Sequence, residues 1–264
     1  QGIDYNHPDF QNPDGSTRVL RYWDHTVSDS NHPNYYELYE KGIVWDSAAI
    51  NNGTCTSLEV SSAHGSTVTG MAASNGLANG TNKGFAPEAD LIVVESDFSQ
   101  DVYNWKLSIA DACDYIFKVA DSLNKPAVIN LSLGDYYGTH DATDPAAELI
   151  NSLLDEKEGR IVVSAAGNSG DYGPYHVGTD VTSDTSFVWS IPNPASTIVN
   201  NLNDVVIFDF VVDTSEANFS YAISSYNPNN QYERTGSTAF LPFSSNFTTG
   251  IPEFENIENE NGDL

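Results

Sequence analysis

Basic residues are scarce in this sequence: ten Lys and Arg stand against 37 Asp and Glu, which gives a formal net charge of −27. Nucleic acids and anionic membrane surfaces attract clusters of Lys and Arg, so this charge argues against both as partners. No apolar run approaches the roughly 20 residues that a membrane span requires. The charge fits a protein kept soluble in a salty or calcium-bearing medium.

Cysteine is also rare, with only Cys55 and Cys113, and their spacing is not that of metal ligands. One disulfide and two free buried thiols are both open interpretations, and neither fixes the compartment. No signal peptide is visible, and the chain starts at Gln1 rather than at a methionine. We therefore expect a processed or truncated start.

The 264 residues are 39% apolar, which is enough for a sizeable core. Apolar residues recur at helical spacing from Trp105 to Leu123 and again from Ala146 to Leu154, directly after the helix-start pair Asp144-Pro145. Buried strands are predicted at residues 18–23, 90–94, 127–133 and 160–166. Strands that alternate with helices predict an α/β fold, a parallel β-sheet with helices on both faces.

The pattern changes after about Tyr175, where no helical period continues. Strand-like runs separated by Asn, Pro, Ser and Gly take over, followed by an acidic tail at 253–264. These runs are residues 187–191, 204–212, 219–223 and 239–243. The predicted organisation is an α/β core over 1–175 and an all-β module with its tail over 176–264.

A histidine stands at a predicted helix start in residues 62–70, which read SAHGSTVTG. From the residue alone, His64 is either an ordinary structural histidine or a general base held beside a nucleophile. Three further segments accompany it in the alternating strand and helix pattern. They are QGIDYNHPDF at 1–10, NLSLG at 130–134 and VVSAAGNSG at 162–170.

Taken together, these segments resemble the subtilisin-like serine proteases, the subtilases. The family's histidine motif is His-Gly-Thr-x-Val-Ala-Gly, and residues 64–70 match it with departures at Ser66 and Thr69. Residues 132–134 match the family's Ser-Leu-Gly, and residues 165–168 match its Ala-Ala-Gly-Asn. Residues 1–3 and 7–9 match the later part of the family's aspartate motif.

The resemblance implies a serine endopeptidase that hydrolyses peptide bonds through an Asp-His-Ser triad and an acyl-enzyme. His64 takes the role of general base, and Asn168, which alone would be interpreted as a turn residue, becomes the oxyanion donor. An extended segment pairs with the polypeptide substrate by strand addition. The implied substrate-binding residues are Asn130, Leu131, Ser132, Leu133, Gly134, Ala165, Ala166 and Gly167.

The resemblance also implies that the chemistry requires no cofactor, while a structural calcium ion is expected at Asp9, Asn75 and Asn79. It implies a location outside the cell or on its surface. The oligomeric state stays open.

The family's nucleophile motif, Gly-Thr-Ser-Met-Ala-x-Pro at a helix start, is missing. Its nearest imitation is GSTAFLP at 236–242, which has Thr238 at the serine position and lies among strand-like runs. One branch of the family, similar to the spore-germination subtilases, carries a β-rich, jelly-roll-like insert between the oxyanion asparagine and the serine. On that interpretation the aspartate directly precedes Gln1, the serine follows Leu264, and the chain alone is inactive.

Two alternatives differ in class. One is a pseudoprotease that keeps the fold but acts as a regulator or binding partner. The other is a surface binding or adhesion protein that acts through its β module.

Overall fold

The structure is a computed structural model that describes residues 2–59, 62–135, 140–168, 219–222, 224–227, 230–242 and 254–256. The chain divides into two compact units, Gln1–Leu202 and Asn203–Leu264, and each is described by itself. The predicted boundary at residue 175 falls outside the described residues and stays a prediction.

A mixed three-stranded sheet forms one half of the first unit. Its strands are β1 (Val19–Asp24), β2 (Ile43–Asp46) and β3 (Leu91–Glu95), in the order β2-β1-β3. β1 and β3 run parallel, whereas β2 pairs with β1 in the antiparallel sense. β1 and β3 were predicted, but β2 was not, because its four residues give little periodic signal.

The second half of the unit contains the parallel pair β4 (Ala127–Leu131) and β5 (Arg160–Ser164). Between β3 and β5 the chain forms two helices, α3 (Val102–Ser122) and α4 (Pro145–Asp155). α4 begins where the sequence predicts, because the Asp144 carboxylate accepts hydrogen bonds from the N–H groups of Ala146 and Ala147. The predicted α/β fold with parallel strands and helices is confirmed.

Helices α3 and α4 cover one face of the β4–β5 pair. Cys113 and Phe117 of α3 pack against Ile129 of β4 in a buried cluster that leucines of α4 extend. On the opposite face Val128 is 70% exposed and Ile161 is 53% exposed. Within the described residues, therefore, helices lie on one face of this pair rather than on both.

Two short helices complete the first unit, α1 (Ser47–Asn51) and α2 (His64–Ala73). They border a separate core cluster that includes Phe10, Val19 and Tyr22. No helix in the described part of the chain is long and apolar enough to cross a bilayer.

Both cysteines are free and buried, so the interpretation with two thiols is the one the structure supports. Cys55 belongs to the cluster around β1, and Cys113 belongs to the cluster under β4 and β5. Burial raises the pKa of the Cys113 thiol to about 12, which keeps it protonated and unreactive.

The described residues of the second unit form five strands: β6 (Ser220–Tyr221), β7 (Ser224–Asn227), β8 (Asn230–Thr238), β9 (Leu241–Pro242) and β10 (Phe254–Asn256). All of their pairings are antiparallel. The GSTAFLP segment lies in β8, β9 and the two residues between them, so its interpretation as strand is confirmed. The jelly-roll arrangement stays a prediction, since residues 187–191 and 204–212 lie outside the described part.

His25 is a buried histidine next to the aromatic core, with only 3% of its surface exposed. Its ring meets that of Trp23 edge-on at a centroid distance of 4.2 Å. Among the described residues neither ring nitrogen has a hydrogen-bond partner. Burial, assisted by the charge of Lys41 and opposed by that of Asp97, lowers the pKa of His25 to about 3.

We expect His25 to make the fold sensitive to acid. Its folded pKa of about 3 lies below the unfolded value of ~6.5, so its neutral form contributes full stability above that value. As the pH falls from there towards 3, the unfolded state binds the proton first, and stability drops by up to about 1.4 kcal/mol per pH unit. Denaturant unfolding at several pH values measures this slope.

His25→Phe keeps the ring contact with Trp23 but cannot take a proton, so its stability should fall less steeply in this range. The control is Asn31→Ala, which removes an exposed side chain without a titratable group and should keep the wild-type slope. Equal slopes for the His25 variant and the wild type would contradict the expectation.

Candidate functional site

His64 is the first residue of α2, and its side chain is exposed. The preceding residue, Ala63, gives the helix no side-chain cap. The backbone N–H of His64 donates to the Ser62 hydroxyl at 3.2 Å. The imidazole therefore lies at an open helix start, where another part of the protein or a substrate can approach it.

Glu59 supplies the cap that Ala63 lacks. Its carboxylate accepts a hydrogen bond of 3.0 Å from the Gly65 N–H and one of 2.5 Å from the Ser66 hydroxyl. A carboxylate at a helix N-terminus is favourable because the first N–H groups have no partner within the helix. Glu59 was not predicted from the sequence, where the available signal was an acidic residue shortly before a predicted helix start.

The segment that begins the chain is anchored to the mixed sheet. The Ile3 N–H donates to the Tyr22 hydroxyl at 3.3 Å, and that hydroxyl donates to Glu95 at 2.8 Å. A side chain at position 2 has no room, since a Cβ on Gly2 would lie 1.7 Å from the Tyr22 oxygen. Burial raises the pKa of Glu95 although the bond from Tyr22 lowers it. This anchor fixes the segment that matches the family's aspartate motif.

The predicted substrate segment and the predicted oxyanion asparagine come from neighbouring strands. Leu131 pairs with Ser164 in the parallel ladder, and the Ala165 N–H extends that ladder to the Leu131 carbonyl at 3.0 Å. The segments that follow both strands then leave the sheet at the same edge, the one formed by the carboxyl ends of the strands, where ligands of α/β folds usually bind. Asn168 follows β5 and is exposed, preceded by Gly167 with a φ of +87°.

Beyond the ladder, the segment Ser132-Leu133-Gly134 continues without secondary structure. Its backbone makes no hydrogen bond to any other described residue. The Asn130 side-chain amide donates to the Ser132 hydroxyl at 2.9 Å, which links the end of β4 to this segment. An extended peptide could pair with such a backbone edge.

Arg18 connects three further segments around α2. Its guanidinium is buried, with 6% of the residue exposed, and donates to the backbone carbonyls of Asp9, Ala73 and Ala89 at 3.0, 2.7 and 2.7 Å. Ala73 is the last residue of α2. The end of the histidine-bearing helix is therefore tied to the turn that contains Asp9.

The three residues predicted to bind calcium lie close together, but their oxygens already have partners. The Asp9 carboxylate accepts bonds from the Ala78 N–H at 2.8 Å and the Ser74 hydroxyl at 2.9 Å. The side-chain carbonyls of Asn75 and Asn79 each accept backbone N–H groups of their own loop. The described residues contain no group of three or more His, Cys, Asp or Glu that could hold a metal.

Asp9 contributes the only carboxylate among these three residues, and each of its oxygens accepts one hydrogen bond. Calcium takes six to eight oxygen ligands, which include carboxylates, side-chain and backbone carbonyls, and waters. The calcium site therefore stays a prediction from the resemblance.

The fold is a subtilase-like α/β fold, and comparison with known proteins agrees with it. The Subtilase family profile matches residues 1–239, most of the 264-residue sequence. The chain belongs to the subtilase family.

Two solved structures are similar to this chain. The Clostridium perfringens CspB protease is 24% identical, with a TM-score of 0.53, over 65% of this chain and 36% of that one. The S41 psychrophilic protease is 29% identical, with a TM-score of 0.41, over 64% of this chain and 44% of that one. The first shows the shared fold. The chain spans less than half the length of either structure, and the search of curated proteins gives no match.

Stability measurements in calcium and in a chelator test the predicted site at Asp9. An ion that binds the folded state stabilises it, so millimolar calcium in place of a chelator should raise the melting temperature by several degrees, and Asp9→Ala should abolish that rise. In the chelator Asp9→Ala should destabilise the protein by about 1 kcal/mol, since it removes the acceptor of the exposed Ala78 N–H and one of the two acceptors of the Ser74 hydroxyl, which keeps the Asn82 carbonyl.

Asp29→Ala, at an exposed aspartate, serves as the control and should have a smaller effect. A melting temperature of the wild type that calcium leaves unchanged would contradict the calcium site.

Proposed function

We propose that this chain is part of a serine endopeptidase in which His64 is the general base and Asn168 stabilises the oxyanion. The observation that carries the proposal is the match of 1–239 to the subtilase family, which includes the segments that hold both residues. No residue of this sequence is assigned as the nucleophile. The activity belongs to the whole protein that contains the chain.

The exposed position of His64 at the start of α2 supports its role. A serine hydroxyl becomes an effective nucleophile only when a neighbouring imidazole accepts its proton, and the same imidazole then protonates the leaving amine. An open helix start leaves the ring accessible to both groups. An aspartate that holds the ring in the correct tautomer completes such a site.

The position of Asn168 supports an oxyanion role. It follows β5 at the end of the sheet where Leu131 leaves β4, so a peptide bound along the substrate segment would bring its carbonyl to this edge. A side-chain amide there donates to the oxygen that becomes negative during acyl transfer.

The substrate is proposed to be a polypeptide that adds a strand along residues 130–134. Gly134, Ala165, Ala166 and Gly167 are small and would leave the primary specificity pocket open for a large apolar side chain. We also propose a location outside the cell or on its surface, in keeping with the family and the acidic composition.

The test is peptidase activity of the full-length protein and its variants. His64→Ala should lower kcat by at least about 10⁴-fold, and Asn168→Ala should lower it by about 10²- to 10³-fold with little change in KM. Burst kinetics with an ester substrate would report the acyl-enzyme.

Two matched variants control for general damage. Asn151→Ala removes an exposed asparagine from α4, and His140→Asn replaces an exposed histidine whose φ of +56° asparagine tolerates. Both should keep wild-type kinetics. Peptidase activity that survives His64→Ala would contradict the proposal. A folded full-length protein with no peptidase activity would also contradict it and would favour the pseudoprotease.

A further inference from the structure

Three side-chain and backbone groups link the start of α2 to the segment at the beginning of the chain. The Asp4 N–H donates to the Ser66 hydroxyl at 2.8 Å, and that hydroxyl donates to the Glu59 carboxylate at 2.5 Å. The same carboxylate accepts the Gly65 N–H at 3.0 Å. We call Asp4, Glu59 and Ser66 the α2 network.

A second contact runs alongside this network. The backbone N–H of Glu59 approaches the carbonyl of Ile3 at 3.4 Å. The residue that caps α2 and the segment of Ile3 and Asp4 are therefore neighbours through both main chain and side chain. Ile3 is in turn anchored to Tyr22.

The Glu59 carboxylate accepts two N–H groups of the first turn of α2. Ala63 contributes no side-chain bond to the helix N-terminus, so the Gly65 and Ser66 N–H groups depend on the Glu59 carboxylate, at 3.0 and 3.5 Å. Without that acceptor the first turn would have unpaired donors and would fray. His64 is the first residue of that turn, so fraying would displace its imidazole.

We propose that Glu59 is a positioning residue, which acts through Ser66 and Asp4 to hold His64 in register with the segment that begins the chain. The proposal rests on the function proposed above. In the family that segment follows the catalytic aspartate, so the network joins the two parts of the site whose side chains must meet. An ordinary helix cap would not need the bond from the Asp4 N–H to the Ser66 hydroxyl.

The serine hydroxyl has two separate partners, and this allows the network to be dissected. It donates to Glu59 and accepts from Asp4, so Ser66→Ala breaks the link to Asp4 while Glu59 still caps Gly65. Ser66→Thr retains a hydroxyl oxygen at the γ position. Glu59→Ala removes both the cap and the acceptor for that hydroxyl.

Amide hydrogen exchange in the full-length protein tests the network without reference to activity. Glu59→Ala should accelerate exchange by about tenfold at Gly65, whose N–H loses its carboxylate acceptor, and at Asp4, because the Ser66 hydroxyl that accepts its N–H is no longer held by Glu59. Ser66→Ala should accelerate exchange at Asp4 alone, and Ser66→Thr at neither. The control Glu37→Ala removes an exposed glutamate elsewhere and should change neither rate.

Steady-state kinetics of the same variants test the positioning role. Glu59→Ala should lower kcat by about 10- to 100-fold, since a small displacement of a catalytic group has an effect of that size, while KM stays within about twofold. Ser66→Ala should lower kcat in the same direction, and Ser66→Thr should restore it. A residue needed only for overall stability would not separate kcat from KM in this way.

The two proposals can fail separately. If His64→Ala abolishes activity but Glu59→Ala leaves kcat and the Gly65 and Asp4 exchange rates unchanged, the role of Glu59 is overturned and the peptidase function stands. If His64→Ala has no effect on activity, the proposed peptidase function is wrong. The proposed effect of the α2 network on catalysis is then wrong as well. The exchange rates then still decide whether Glu59 holds the start of α2.

Discussion

The buried guanidinium of Arg18 holds together the segments that surround α2. It donates to three backbone carbonyls that come from the first turn, from the end of α2 and from the loop before β3. A lysine carries one compact ammonium group and lacks the planar guanidinium that donates to three separate acceptors, so it cannot replace Arg18. Because Arg18 fixes the end of the helix and Glu59 caps its start, the position of His64 is determined at both ends of α2.

The parallel pairing of β4 and β5 provides the second constraint. Parallel strands bring their carboxyl ends to one edge of the sheet, so the segments that follow Leu131 and Ser164 emerge side by side. One segment continues as a backbone edge with which no described residue pairs, and the other leads to Asn168. In the proposed function, peptide binding and polarisation of the peptide carbonyl would therefore draw on adjacent segments of this strand pair, one face of which packs against α3 and α4.

The sequence predicted most of this arrangement, and the exceptions have physical reasons. The motif around His64, the strand before Asn168 and the helix at Pro145 have local signals that the structure reproduces as secondary structure. Arg18 acts through acceptors that are distant in the chain. Glu59 acts through a contact with Ser66 that no periodic pattern in the sequence reveals. Such contacts become visible only when the segments are placed in three dimensions.

The central claim is that His64 and Asn168 act on the same reacting carbonyl. A crystal structure of the full-length protein with a peptide boronate, which mimics the tetrahedral intermediate, tests it most directly. The account predicts that a His64 ring nitrogen and the Asn168 side-chain amide each lie about 3 Å from the boronate oxygens, with the peptide paired along Ser132–Gly134. A boronate bound without contact to either residue would contradict it.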